Sequence, residues 1–129
     1  VVSVSEDNLS ILVLDDEPIV GKRLRAALEK SGYEVEVFED SRAALRRLDE
    51  REFDIIVTDV RMEEVDGIQV LEHVLERSSR TRVIVITGYA TVEVAREALA
   101  KGAFDFIAKP FKPDDLREVI AKAAEDLRS

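Results

Sequence analysis

Five residues of this 129-residue chain stand at or just beyond the ends of short aliphatic runs. Asp15 and Asp16 follow Ile11-Leu12-Val13-Leu14, Asp59 follows Ile55-Ile56-Val57, Thr87 follows Val83-Ile84-Val85-Ile86, and Lys109 follows Phe104-Asp105-Phe106-Ile107. Each has an ordinary explanation alone. Asp16 suits a helix N-cap, Asp59 can start a turn, Thr87-Gly88 is a common strand exit, and Lys109-Pro110 can simply stop a strand. If the runs are neighbours in a parallel sheet, however, three carboxylates, a hydroxyl and an ammonium face one crevice. Two carboxylates about 4 Å apart repel by about 4 kcal/mol at an effective dielectric of about 20, so three stay ionised together only around a cation. One ammonium cannot neutralise three carboxylates. A hard divalent ion can, and Mg2+ takes one or two carboxylates together with phosphate oxygens and water. The set therefore predicts phosphoryl chemistry: a carboxylate as nucleophile, with Mg2+, lysine and hydroxyl neutralising the phosphoryl oxygens.

The elements that must position these groups follow from hydrophobic period. The first run is aliphatic and unbroken, as a strand covered on both faces is. Pro18 suits the first turn of a helix with Asp16 as its N-cap; Val20, Leu24, Ala27 and Leu28 share one face until Ser31-Gly32. Tyr33 to Phe38 alternates apolar and acidic residues and reads as a half-exposed strand near the sheet edge, after which Ser41 is expected to cap a helix carrying Ala44, Leu45 and Leu48. The third cycle joins Ile55–Val57, through a loop to Asp66-Gly67, with a helix carrying Ile68, Leu71, Val74 and Leu75. The fourth joins Val83–Ile86 to a helix with Val92, Ala95, Ala98 and Leu99 that stops near Gly102. The fifth joins Phe104–Ile107 to a helix starting near Pro113-Asp114 and carrying Leu116, Val119, Ile120, Ala123 and Leu127. Strict βα alternation gives a parallel sheet with right-handed crossovers, here a doubly wound (βα)5 three-layer sandwich. An eight-fold barrel needs about twice this length.

Composition narrows the classes further. A hydrophobic fraction of 46% supports one ordinary globular core and excludes disorder for most of the chain. The formal charge of -9 would be repelled by a nucleic-acid backbone, so no direct nucleic-acid binding is expected. No window is long and apolar enough for a membrane span, and VVSVSEDNLS lacks the regions of a signal peptide. With no cysteine there is neither a disulfide framework nor a thiolate metal site, which fits a cytoplasmic protein. Met62 is the only methionine, so the chain has no initiator and is read as a segment whose neighbours are unknown.

DDE at 15–17, D-x-R-M-x-x-x-D-G at 59–67, VIVITG at 83–88 and DFIAKPF at 105–111 together resemble the receiver domain of bacterial two-component response regulators. Residues 87–111, TGYATVEVAREALAKGAFDFIAKPF, are most similar to receivers of sigma-54-dependent, nitrogen-regulatory-type activators. The resemblance implies a flavodoxin-like sheet with strand order 2-1-3-4-5. It implies a receiver over residues 9–127, with residues 1–8 a flexible extension and 128–129 the C-terminal end. It further implies that Asp59 accepts a phosphoryl group from a phosphohistidine of a sensor histidine kinase or a phosphotransfer protein. Asp16 and Asp59 would bind Mg2+ directly, Asp15 largely through water, and the backbone carbonyl of Arg61 would complete the protein ligands. Thr87 would hydrogen-bond one phosphoryl oxygen and Lys109 would pair with another. The Lys109-Pro110 bond is expected to be cis, and Phe106 stands where the family has an aromatic that turns inward when the threonine moves toward the phosphate. The output would be a population shift of the face built from the fourth helix, fifth strand and fifth helix, acting on an output domain outside this chain or another partner. Val92, Val94, Arg96, Lys101 and Phe111 on that face could serve a homodimer. Such a domain catalyses only its own phosphorylation and dephosphorylation.

Two departures from the family pattern stand out. Met62 is followed by Glu63 and Glu64 where the family usually has proline, and Arg61 lies two residues after the acceptor, where it can alter access of water. His73, the only histidine, reads as a polar position on the third helix. A flavin mononucleotide binder would need a Ser/Thr-rich phosphate loop where Asp15-Asp16-Glu17 stands, and a dinucleotide enzyme would need G-x-G-x-x-G, which is absent. A haloacid-dehalogenase-type phosphatase would carry a second Asp at position 61. The remaining alternative is a degenerate receiver acting as a phosphorylation-independent interaction module, against which the complete Asp, Thr and Lys set argues.

Overall fold

Five strands form one parallel sheet in the order β2-β1-β3-β4-β5, as the resemblance implies. They are β1 (Ser10–Leu14), β2 (Glu34–Phe38), β3 (Ile55–Asp59), β4 (Arg82–Thr87) and β5 (Asp105–Ala108), alternating with α1 (Pro18–Lys30), α2 (Ser41–Glu50), α3 (Gly67–Arg77), α4 (Val92–Ala100) and α5 (Pro113–Arg128). The computed structural model describes residues 9–60, 66–88 and 92–129, Val92 by its backbone alone. The expected extension at 1–8 and the loop residues Arg61, Met62, Glu63 and Glu64 lie outside the described residues.

Successive residues of a strand point to opposite faces, and both faces here are apolar. Ile11, Val13, Ile55, Val57, Ile84 and Ile86 pack with Leu24 and Leu28 of α1 and with Leu116, Ile120 and Ala123 of α5. Leu12, Leu14, Ile56, Val83 and Val85 pack with Ala44 of α2, Leu71 and Val74 of α3, and Ala98 of α4. The result is three layers, with two helices on one side and three on the other. β2 is an edge strand and only Val35 in it is buried. Glu36 remains half-exposed and accepts hydrogen bonds from Arg47 at 2.8 and 2.9 Å, which hold its carboxyl below the ordinary value against the effect of burial.

Two expected caps are corrected. The N-cap of α1 is Glu17, not Asp16, because Pro18 occupies the first helical position and drives the residue before it into extended backbone. The N-cap of α2 is Asp40, whose side chain accepts the Arg42 N–H at 3.0 Å; Ser41 is already helical and buried. Asp and Ser cap about equally well, so the packing of Ser41 against the core decides between them. Strand ends also shift by one residue: β2 begins at Glu34 rather than Tyr33, and β5 covers 105–108 rather than 104–107. Gly32 and Gly102 close α1 and α4 with φ of 97° and 113°, as expected of glycines that end helices.

One tie anchors the edge of the sheet away from the strand ends singled out above. Asp54, just before β3, accepts hydrogen bonds from the Ser10 backbone N–H at 2.8 Å, from the Ser10 hydroxyl at 3.1 Å and from Arg80. Burial works against its ionised form, but these donors prevail and hold its carboxyl below the ordinary value. A depressed pKa adds stability above the unfolded value, and that stability disappears as pH falls through the folded value. Asp54→Ala is therefore expected to cost about 1–2 kcal/mol at pH 7, with the difference from wild type closing below about pH 4. Urea midpoints at several pH values check this; a difference independent of pH would remove the carboxylate from the explanation.

Candidate functional site

In a parallel sheet every strand points the same way, so the ends of β1, β3, β4 and β5 share one edge. Asp59 closes β3 and pairs in register with Ile86, and the next residue, Val60, donates its N–H to the Ile86 carbonyl at 3.0 Å. Thr87 is the following residue of β4, and its carbonyl accepts the Lys109 N–H at 2.7 Å. The Lys109-Pro110 bond is cis, as expected. Asp15 is fully buried, and its Oδ1 accepts the Glu17 N–H at 2.9 Å in the turn that leads into α1. Gly67, the first residue of α3, supplies the close approach behind the acceptor strand: a Cβ there would lie 2.7 Å from the Asp59 carbonyl oxygen and 2.7 Å from the Val60 Cα.

The side chains converge on Lys109. Its Nζ donates to Asp59 Oδ2 at 2.9 Å and to Glu17 Oε1 at 2.9 Å, and lies 3.2 Å from Asp15 Oδ2 without hydrogen-bond geometry. Partial burial opposes the charge of Lys109, but the bonds to Glu17 and Asp59 and the fields of Asp59 and Asp15 outweigh it and raise its pKa above the ordinary lysine value. Burial is the largest influence on Asp15 and pushes its carboxyl above the ordinary range, against the Glu17 N–H and Lys109. Two buried polar atoms, Asp15 Oδ2 and Thr87 Oγ1, have no hydrogen-bond partner among the described residues. Buried orphans of this kind mark places where a ligand or ion completes the network. Carboxylate oxygens of Asp15, Glu17 and Asp59 all lie within 4.8 Å of one another, so the donor set fits a hard cation.

Of the residues singled out from sequence, Asp15, Asp59 and Lys109 are thus in mutual contact, with Thr87 on the adjoining strand end. Asp16 is exposed in the turn and stands outside the acidic cluster, whose third member is Glu17. The Arg61 carbonyl, assigned to the metal, lies outside the described residues. Phe106 is partly buried against the α2–α4 side of the core and pairs with Val85, two residues before Thr87, so it shares a sheet face with that threonine. His73 bonds Asp49 at 2.9 Å on the helical surface, as a polar position should. Glu17 had no assigned role; the available signal was Pro18, which forces its backbone into the extended form. Beside the site, a cleft of about 250 Å³ is lined by Glu17, Val20, Leu24, Lys109, Phe111 and Pro113 among others.

Comparison with known proteins agrees with this geometry. The family described as response regulator receiver domain matches residues 11–121. Regulatory protein AtoC of Escherichia coli is 39% identical over 115 residues, covering 89% of this chain and 25% of AtoC. Transcriptional regulatory protein FixJ of Bradyrhizobium diazoefficiens is 36% identical over 113 residues, covering 88% of this chain and 55% of FixJ. The chain therefore spans between a quarter and about half the length of these relatives. Among solved structures, a receiver domain protein from Clostridium thermocellum superposes with a TM-score of 0.88 at 30% identity, covering 93% of this chain and 97% of that one. NtrX from Brucella abortus gives 0.87 at 30% identity, covering 94% of this chain and 28% of NtrX. No helix among the described residues is long and apolar enough to cross a membrane. The fold, the strand-end constellation and these matches together place the chain in the family of response regulator receiver domains of two-component systems.

Proposed function

We propose that this chain accepts a phosphoryl group on Asp59 with Mg2+ and thereby switches the face formed by α4, β5 and α5. The observation that carries the reading is the pair of buried, unpartnered atoms, Thr87 Oγ1 and Asp15 Oδ2, beside the Lys109–Asp59 ion pair. In the transfer, a carboxylate oxygen of Asp59 forms a bond to phosphorus as the bond to the donor breaks, and that electron pair leaves with the donor, the imidazole nitrogen of a phosphohistidine. Lys109 donates to one phosphoryl oxygen. The Thr87 hydroxyl donates to another, giving its orphan oxygen a partner. In the family's arrangement Asp16 and Asp59 would hold Mg2+ directly, Asp15 largely through water, with the Arg61 carbonyl completing the protein ligands, and the ion would supply positive charge that a single ammonium cannot. Hydrolysis removes the group: water attacks phosphorus, the phosphorus–oxygen bond to Asp59 breaks with its electron pair returning to the carboxylate, and inorganic phosphate leaves with the released proton going to solvent.

A donor protein needs an apolar surface next to the acceptor. Ile19, 57% exposed, lies between Glu17 and Val20, which line the cleft beside Lys109. The chain is in this reading a self-phosphorylating signalling domain of the cytoplasm, not an enzyme acting on separate substrates. It serves a sensor histidine kinase or phosphotransfer protein on one side, and an output segment, partner or second copy on the other. Movement of Thr87 toward the phosphoryl group vacates space on the face it shares with Phe106, which links the site to β5 and to α4 and α5 around it.

Incubation with acetyl phosphate and Mg2+ tests the reading, followed by intact mass and backbone amide spectra of the same sample. The expected result is a gain of one phosphoryl group, about 80 Da, that requires Mg2+, together with amide shifts across residues 87–111. No gain, and no shifts with beryllofluoride as a stable mimic, would instead identify an interaction module that works without phosphorylation.

A further inference from the structure

Glu17 belongs to the acidic cluster around Lys109, but the phosphoryl transfer itself gives it no task. It stands at the N-cap of α1 yet makes no side-chain capping bond. Its carboxylate instead reaches across 92 residues of sequence to accept a hydrogen bond from Lys109 Nζ at 2.9 Å. An ammonium has three N–H donors; Lys109 commits two of them, to Glu17 and to Asp59, and lies 3.2 Å from Asp15 without hydrogen-bond geometry. A phosphoryl group on Asp59 replaces the single charge of the carboxylate with about two and brings three acceptor oxygens into the same space. Turning toward one of them draws the ammonium away from a present contact. Asp15 is fully buried, so water cannot take the place of the ammonium beside it, and Asp59 is the residue that carries the phosphoryl group. The Glu17 side chain is 59% exposed, so water can take the place of Lys109 there at little cost.

We infer that Glu17 is a latch on Lys109: it holds the ammonium in the unphosphorylated arrangement and competes with the phosphoryl group for it. This rests on the reading of Asp59 as acceptor. Two effects act in the same direction. The bond to Glu17 pulls Lys109 away from the phosphoryl oxygen, and the Glu17 carboxylate faces a dianion across a short gap. Glu17 therefore sets the balance between the two states without taking part in the transfer. It is a positioning residue that acts through Lys109.

The test is the affinity for beryllofluoride at saturating Mg2+, read from amide shifts, for wild type, Glu17→Gln and Glu17→Ala. Both variants are expected to bind the mimic about two- to fivefold more tightly, the range set by one half-exposed ion pair, and to hold the phosphoryl group from acetyl phosphate correspondingly longer. The sign separates competition from support, because a residue that merely braced the site, or that helped hold the metal, would weaken binding when removed. Wild-type binding with equal or weaker binding by both variants would overturn the latch and leave the acceptor reading standing. Failure of wild type and variants alike to bind the mimic would overturn both.

Discussion

Asp59→Asn is expected to abolish phosphoryl uptake from acetyl phosphate while leaving the protein folded. The reacting atom is an anionic carboxylate oxygen, and an amide oxygen in the same place carries no charge with which to attack phosphorus. The loss should be complete in the intact mass, with no gain of about 80 Da at a donor and Mg2+ concentration that phosphorylates the wild type fully. Folding should survive for a local reason. Lys109 donates to Asp59 Oδ2, and the amide oxygen can accept that bond; meanwhile one of three negative charges crowded around a single ammonium is removed. A melting temperature at or above that of wild type is therefore expected. A variant that still gained the phosphoryl mass would place the acceptor elsewhere, and tandem mass spectrometry of the modified chain would then locate it.

Asp15→Asn separates stability from function at the same site. Asp15 is fully buried, one of its oxygens has no hydrogen-bond partner among the described residues, and its other oxygen is committed to the Glu17 N–H. A buried charge that is incompletely paired costs stability in the native state. Asparagine keeps an oxygen for the Glu17 N–H and removes the charge, while Lys109 retains Glu17 and Asp59. The metal-free variant is thus expected to be more stable than wild type by about 0.5–2 kcal/mol, the usual gain when a functional site is relieved of its strain. Mg2+ should show the opposite effect. Binding of an ion at a hundred times its dissociation constant adds about 2.7 kcal/mol to a folded protein. Loss of one converging carboxylate is expected to weaken Mg2+ by about tenfold or more, so about half or more of the Mg2+-induced stabilisation, and of the rise in melting temperature, should vanish. Calorimetric scans of both proteins with and without Mg2+ decide the matter, and a variant less stable than wild type without metal would show that the Lys109 contact outweighs burial.

The same residues show what was legible in the chain and what was not. Hydrophobic period is a local signal, so five aliphatic runs alternating with helical faces were enough for the (βα)5 sandwich, and the common direction of parallel strands brought Asp15, Asp59, Thr87 and Lys109 to one edge. The alternation of Tyr33 to Phe38 marked an edge strand, but the full strand order came from motif resemblance, since nothing local to β2 says that its neighbour is β1. Caps were read less well. Asp16 and Ser41 are good capping residues, but Glu17 and Asp40 hold those places because Pro18 and the burial of Ser41 set the helix starts. The contact between Glu17 and Lys109 was legible nowhere in the chain. The residues alone determined which charges reach the edge of the sheet, because strand period and chain direction decide that. Only the tertiary structure decided which carboxylates share the one ammonium and which buried oxygens lack a partner, because side chains 92 residues apart meet only through packing and register.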